Sequence, residues 1–312
     1  MMRSLFSAVS GLKSHQTAMD VIGNNVSNVN TTGYKSSRTI FQDIYSQTVR
    51  SATASTSTTG GSNAQQVGLG VSISTIGMNM TEGSTQSTSY PLDFSISGDG
   101  FIVVSDGNGG YYYTRNGALT LDNDGYLVTA NGDYVMVVAE NTTDAVSDGT
   151  SDDATTSIEN CDSFTLNDLT NIQLLRSYTD ETTGNTVEYT DYAVDSNGVI
   201  TVTAATTDST TGETTTETKT IGRMVIATFN NAGGLEKAGS SYYVEGANSG
   251  NAAYNFAGNN CGSLTSGSLE MSNVDLATEL TNMIITQRGF QANSRVITTS
   301  DTLLEELINL KR

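Results

Sequence analysis

The chain has 312 residues, 36% hydrophobic and only 15% charged, with no Trp and a single Pro, Pro91; Ser, Thr, Asn and Gly fill the gap, a balance that suits strand-rich surfaces better than the dense core of a metabolic enzyme, at a length that allows two domains. A formal charge of −19 sets it against nucleic acid and anionic membrane, because like charges repel. Cys161 and Cys261 lie far apart without CxxC spacing, which speaks against a zinc site and leaves the compartment open.

No stretch approaches the ~18 apolar residues of a membrane span. The opening run "MMRSLFSAVSGLKSHQ" has no small-residue cleavage pattern, so neither membrane insertion nor a cleaved signal peptide is expected. Leu5, Leu12, Met19 and Val26 recur every seven residues, with Val9, Gln16 and Gly23 on an intermediate line and Ala8 and Ile22 widening the stripe. This period predicts a helix with a narrow, coiled-coil-like seam. Then Asn24, Asn25, Asn28, Asn30, Thr31 and Gly33 crowd together before Tyr34 and Lys35. One Gly or Asn stops a helix. A longer run reads as a joint, with side-chain amides on helix-end carbonyls and a positive-φ exit at Gly33. Residues 31–66 are read as joint and linker, the part from 51 being low-complexity.

From residue 67 the helical period gives way to short alternating runs separated by "SDGNGG", "DNDG" and "ANGD", which predicts an all-β body over 67–139 and 187–272. Between its halves, 140–186 reads as an acidic, Thr- and Asp-rich outer insert. Arg176 is the only base across 141–218, and that charge reads as a solvated face. The helical period returns over 273–312 with Leu276, Met283, Phe290, Ile297 and Leu304, beside a line of Leu280, Gln287, Ser294, Asp301 and Ile308. Asn273 or Ser272 is the expected N-cap, with the helix running to about Asn309, ~50 Å. The fold class is therefore mixed α and β: terminal helices (1–30 and 273–312) in a coiled-coil-like pair, parallel or antiparallel, around a β body. So thin a seam needs neighbours, which means other copies, and its apolar positions are the candidate subunit interface.

No catalytic constellation is present. His15, the only histidine, has no nucleophile at a recognisable spacing; "GDGF" lacks a phosphate-loop Lys; Asp122-Asn123-Asp124-Gly125 reads as a hairpin turn and not a calcium loop. Neither an enzyme nor a cofactor is expected.

"SNVNTTGYK", carrying Asn28, Asn30, Thr31, Gly33, Tyr34 and Lys35, together with "DVIGNNVSN", resembles the signature of bacterial flagellar rod and hook proteins. "GDGFIVV", "YYTRNGALTLDNDGYLVTANGDYV" and the segment beginning "SNVDLATEL", with Asn273, are similar to that family's later motifs. The resemblance covers roughly residues 1–50, 67–138 and 220–312, and stops at 140–219. It implies a structural subunit of an axial helical tube, a homopolymer with terminal helices inside and the β body outside. The hook subunit is the nearer likeness and the distal rod subunit the alternative. It also implies export through the flagellar type III apparatus to the hook and basal body outside the cell. The partners would be other axial proteins (distal rod, hook cap and hook–filament junction), with no nucleic acid or membrane. A surface adhesin and a secreted hydrolase are the competing classes. The first lacks an anchor or sorting segment, the second a nucleophile–base pair.

Overall fold

The structure is a computed structural model that describes residues 2–55, 57, 60–139, 169–174, 177–179, 186–207, 214–258 and 261–310. Most of the acidic insert, Cys161 included, lies outside the described residues. The fold class expected from sequence is observed: a helix at each end and strands between. The chain divides into two compact units, one of residues 1–29, 35–79 and 274–312, the other of 30–34 and 80–273.

The first unit holds α1 (Met2–Ser27) and α2 (Leu276–Asn309) with two small antiparallel ribbons. One ribbon pairs Ser37–Asp43 with Val71–Met78, its register slipping between Ile40 and Phe41; the other pairs Ser46–Arg50 with Gln65–Gly68. Part of the segment read as linker is therefore strand. α2 reaches Asn309 as expected, but its N-cap is Asp275 and not Asn273 or Ser272. The Asp275 carboxylate accepts from the Ala277 amide at 3.1 Å and the Thr278 hydroxyl at 2.5 Å. An Asp two residues before the second helical position satisfies an amide that the helix leaves open, and its charge suits the positive end of the helix. The Asn273 side chain is engaged elsewhere, donating to the Thr81 carbonyl at 3.1 Å.

The second unit is the β body. Its spine is the strand Thr214–Thr228, which pairs with Val199–Thr207 along one stretch and with Tyr134–Ala139, Phe101–Ser105 and Ala253–Phe256 along another. All these pairings are antiparallel. Asp122–Gly125 is a turn, the Gly125 amide donating to the Asp122 carbonyl at 3.0 Å, between the paired strands Leu119–Leu121 and Leu127–Thr129. The core is a single cluster that includes Phe94, Ile102, Val137, Ile200, Met224 and Ile226, alternate side chains of these strands turned to one side. Ile172 and Leu174, in the stretch assigned from sequence to the outer insert, belong to this core, and Thr170–Asn171 pairs with Tyr134–Ala139.

Candidate functional site

α1 and α2 run antiparallel, as the contact partners require: Gly11 meets Asn293, His15 meets Gly289 and Asn25 meets Glu279, so numbers fall along one helix as they rise along the other. The fully buried face of α1 is made of Ala8, Gly11, Ser14, Ala18, Ile22 and Asn25, nearly all small. On α2 the buried positions are Thr286 and Ser300, with Glu279, Met283, Phe290, Asn293, Ile297 and Leu304 half-buried. Two reciprocal notches set the closeness. A Cβ on Gly11 would stand 2.7 Å from Asn293 Nδ2, and one on Gly289 would stand 2.7 Å from the His15 ring. The other side of that imidazole faces Phe41, centroids 5.5 Å apart. Small residues at these two positions let the helix backbones approach.

The seam residues named from sequence fall beside this contact. Leu5, Leu12, Met19 and Val26 are half-buried on the flank of α1. Met283, Phe290, Ile297 and Leu304 are half-buried, while Leu276 and Leu280 are exposed. The companion line on α2 is Glu279, Thr286, Asn293 and Ser300, one residue removed from the Leu280 line read from sequence. Large apolar groups remain uncovered: Phe6 is 64% exposed, Ile285 63% and Ile308 67%, and on the second ribbon Val49 is 63% exposed.

The stretch after α1 carries a set of side-chain hydrogen bonds. At the end of α1 the Ser27 hydroxyl donates to the Gly23 carbonyl at 2.8 Å, and Asn28 Nδ2 to the Asn24 carbonyl at 2.9 Å and the Asn24 side chain at 2.7 Å. They lie in the last turns of α1, where the Asn24 carbonyl also accepts from the Asn28 amide at 3.2 Å, so side chains reinforce the helix end. Asn24 is exposed, as is Asn30. Asn25 is 1% exposed and pairs with the Ser37 backbone in both directions: Nδ2 donates to the carbonyl at 2.7 Å, and Oδ1 accepts from the amide at 3.0 Å. Its Nδ2 also reaches Glu279 Oε1 at 3.3 Å. Burial raises the Glu279 pKa, against the lowering effect of the Asn25 bond; Asp275 adds a further push upward.

Gly33 has φ +67, and a Cβ there would stand 2.7 Å from the Arg115 carbonyl carbon and the Asn116 nitrogen. Its amide donates to the Glu270 carbonyl at 2.8 Å. Thr31 is half-buried and its carbonyl accepts from the Tyr34 amide at 3.4 Å. The Tyr34 ring lies under the Lys237 ammonium at 4.6 Å, and burial lowers the Lys237 pKa. Lys35 is fully buried. Sequence reading missed Arg115 and Glu270, an ion pair at 3.3 Å in the body beside Gly33. Among the described residues no cluster of three or more His, Cys, Asp and Glu is arranged for a metal, and no helix is long and apolar enough to cross a membrane.

Three family models match the chain: "Flagella basal body rod protein" over residues 5–35, "Flagellar hook protein FlgE/F/G D1 domain" over 95–202, and "Flagellar basal body rod FlgEFG protein C-terminal" over 265–310. The flagellar basal-body rod protein FlgG of Bacillus subtilis is 40% identical over 314 residues, covering all of both chains. The flagellar hook protein FlgE of Borreliella burgdorferi is 31% identical over 451 residues, and the FlgG of that organism 33% over 314, again covering all of each chain. With the end-to-end similarity added to a pair of terminal helices and a separate β body, the chain belongs to the flagellar rod and hook family of axial structural subunits.

Proposed function

We propose that the chain is the distal rod subunit of the flagellar basal body, polymerising with its own copies into a helical tube. The observation that carries this reading is length. Alignments with FlgG relatives run over 314 residues and cover both chains completely, whereas those with hook proteins of B. burgdorferi and Treponema pallidum run over 451 and 465. The hook chains carry long stretches with no counterpart in these 312 residues. The second reading, a hook subunit in a curved tube that joins rod to filament and transmits torque, is favoured by the 46% identity to the hook protein of Helicobacter mustelae over 138 residues.

Polymerisation is supported by the uncovered apolar side chains of the first unit. Phe6, Ile285, Ile308 and Val49 stand in water in the single chain, and copies packed side by side would remove that cost. Leu5, Leu12, Met19, Val26, Leu276, Leu280, Met283, Phe290, Ile297 and Leu304 supply further apolar area to such contacts. The role is structural and not catalytic. Export would run through the type III apparatus, with other axial proteins as neighbours above and below. Gold-labelled antibody on isolated hook–basal bodies tests the assignment. Label confined to the distal rod is expected; label along the hook selects the second reading, and label away from the axis sinks both.

A further inference from the structure

Arg115 and Glu270 are 3% and 1% exposed. Arg115 Nη1 lies 3.3 Å from both Glu270 carboxylate oxygens, Nη2 donates to the Gly98 carbonyl at 2.7 Å, and the guanidinium sits 5.4 Å from the Phe101 ring centroid. A buried ion pair is a poor source of net stability, since desolvating both charges offsets most of their attraction, and an apolar pair of similar volume often serves as well. What this pair adds is connection. The Glu270 carboxylate accepts from the Gly83 amide at 3.0 Å, and the Glu270 carbonyl from the Gly33 amide at 2.8 Å. Next to it, the Met271 amide donates to the Ser84 carbonyl at 2.8 Å and the Asn273 amide to the Tyr34 carbonyl at 3.4 Å. Gly33 in turn abuts the Arg115 backbone with room only for a hydrogen. The segments gathered here, 30–34, 80–84 and 270–273, are those through which the chain leaves the β unit.

We infer that Arg115 and Glu270 are positioning residues of the joint: the buried pair clamps three departing segments in one geometry and so sets the direction in which the chain leaves the β unit. The inference stands whichever axial position the subunit takes.

Hydrogen exchange on the full-length chain reads the clamp at the amides of Gly33 and Met271, whose acceptors are backbone carbonyls that survive any side-chain change. Glu270→Gln keeps the size and one acceptor oxygen, turns the other acceptor into an amide donor and removes the charge. Arg115→Met combined with Glu270→Leu replaces the pair by apolar groups. Both variants are expected to exchange about tenfold or more faster at Gly33 and Met271, with the amides of Phe101–Ser105 unchanged and the melting temperature of the apolar variant preserved. Unchanged protection at Gly33 and Met271 in either folded variant overturns the inference, because the pair then only fills the core. Protection lost equally over Phe101–Ser105 also overturns it, because the pair then stabilises the body at large. If the apolar variant does not fold, Glu270→Gln decides alone by the same readings. Failure of both to fold counts against a clamp separable from the fold.

Discussion

At the joint, single atoms decide what a position accepts. Gly33→Ala forces a left-handed backbone on a residue with a Cβ, which costs ~1–2 kcal/mol, and drives that Cβ against the Arg115 backbone. The expected loss in urea unfolding exceeds the conformational part alone; a midpoint shift within error would mean the joint relaxes freely. Asn25→Ala leaves the Ser37 amide and carbonyl without their side-chain partners, and a loss of ~1–3 kcal/mol is expected in the same assay. Two carboxyls give the helix pair a pH profile. The Thr278 hydroxyl and the Ala277 amide hold Asp275 below its ordinary 3.8, so its contribution is present above that value and lost as pH falls through the folded one. Burial holds Glu279 above its ordinary 4.5, so its contribution is present below that value and lost as pH rises through the folded one. For these two groups, helix-pair stability peaks between the two ordinary values. Glu279→Gln should flatten the decline on the alkaline side, read as the thermal midpoint of helical circular dichroism against pH; an unaltered decline would assign it to other groups. The joint was legible because Asn and Gly announce local backbone needs. Arg115 and Glu270, 155 positions apart, leave no local trace.

For the helix pair, sequence periodicity located both elements and the direction of one seam, yet it pointed to the large side chains. The closest approach between the helices is at Gly11 and Gly289, which a search for apolar bulk passes over. Gly289→Val should push the helices apart at His15, lowering the helical melting midpoint, and His15→Ala should restore part of the loss, with a coupling of ~0.5–3 kcal/mol. Additive effects would show that the two residues do not share a contact. In the β body the turn residues were equally legible. Ile172 and Leu174 were not, because they sit in a Thr- and Asp-rich stretch whose composition speaks of solvent. Leu174→Ala should cost ~2–5 kcal/mol, as for any buried leucine; near-neutral behaviour in chemical unfolding would remove it from the core.

The whole molecule combines a net charge of −19 with uncovered apolar side chains on its first unit. Repulsion keeps copies apart and apolar burial draws them together, so salt should tip the balance. Sulfate screens the charge and strengthens burial, while cooling weakens burial. Polymerisation followed by light scattering should therefore speed up with added sulfate and slow near freezing; indifference to both would place the driving force elsewhere. In the free chain the amides of Met2–Ser27 and Leu276–Asn309 should exchange faster than in the polymer, where neighbours cover them. Equal protection in both states would remove these helices from the contacts between copies.

In sequence, most of the β unit interrupts the helical one, for residues 1–29 and 274–312 belong together while 80–273 intervene. α1 leaves the ribosome before the β unit and α2 after it, so α1 waits for its mate while the β unit is made. The β unit has all its residues before α2 has any, and domains generally fold as units. Pairing the helices then closes a very long loop, the slowest kind of contact to form. α2 thus completes α1, whose apolar side chains stay uncovered until α2 is made. Until α2 emerges, the side of α1 that it covers lies open to whatever stands beside the nascent chain, which makes synthesis itself the time of greatest exposure.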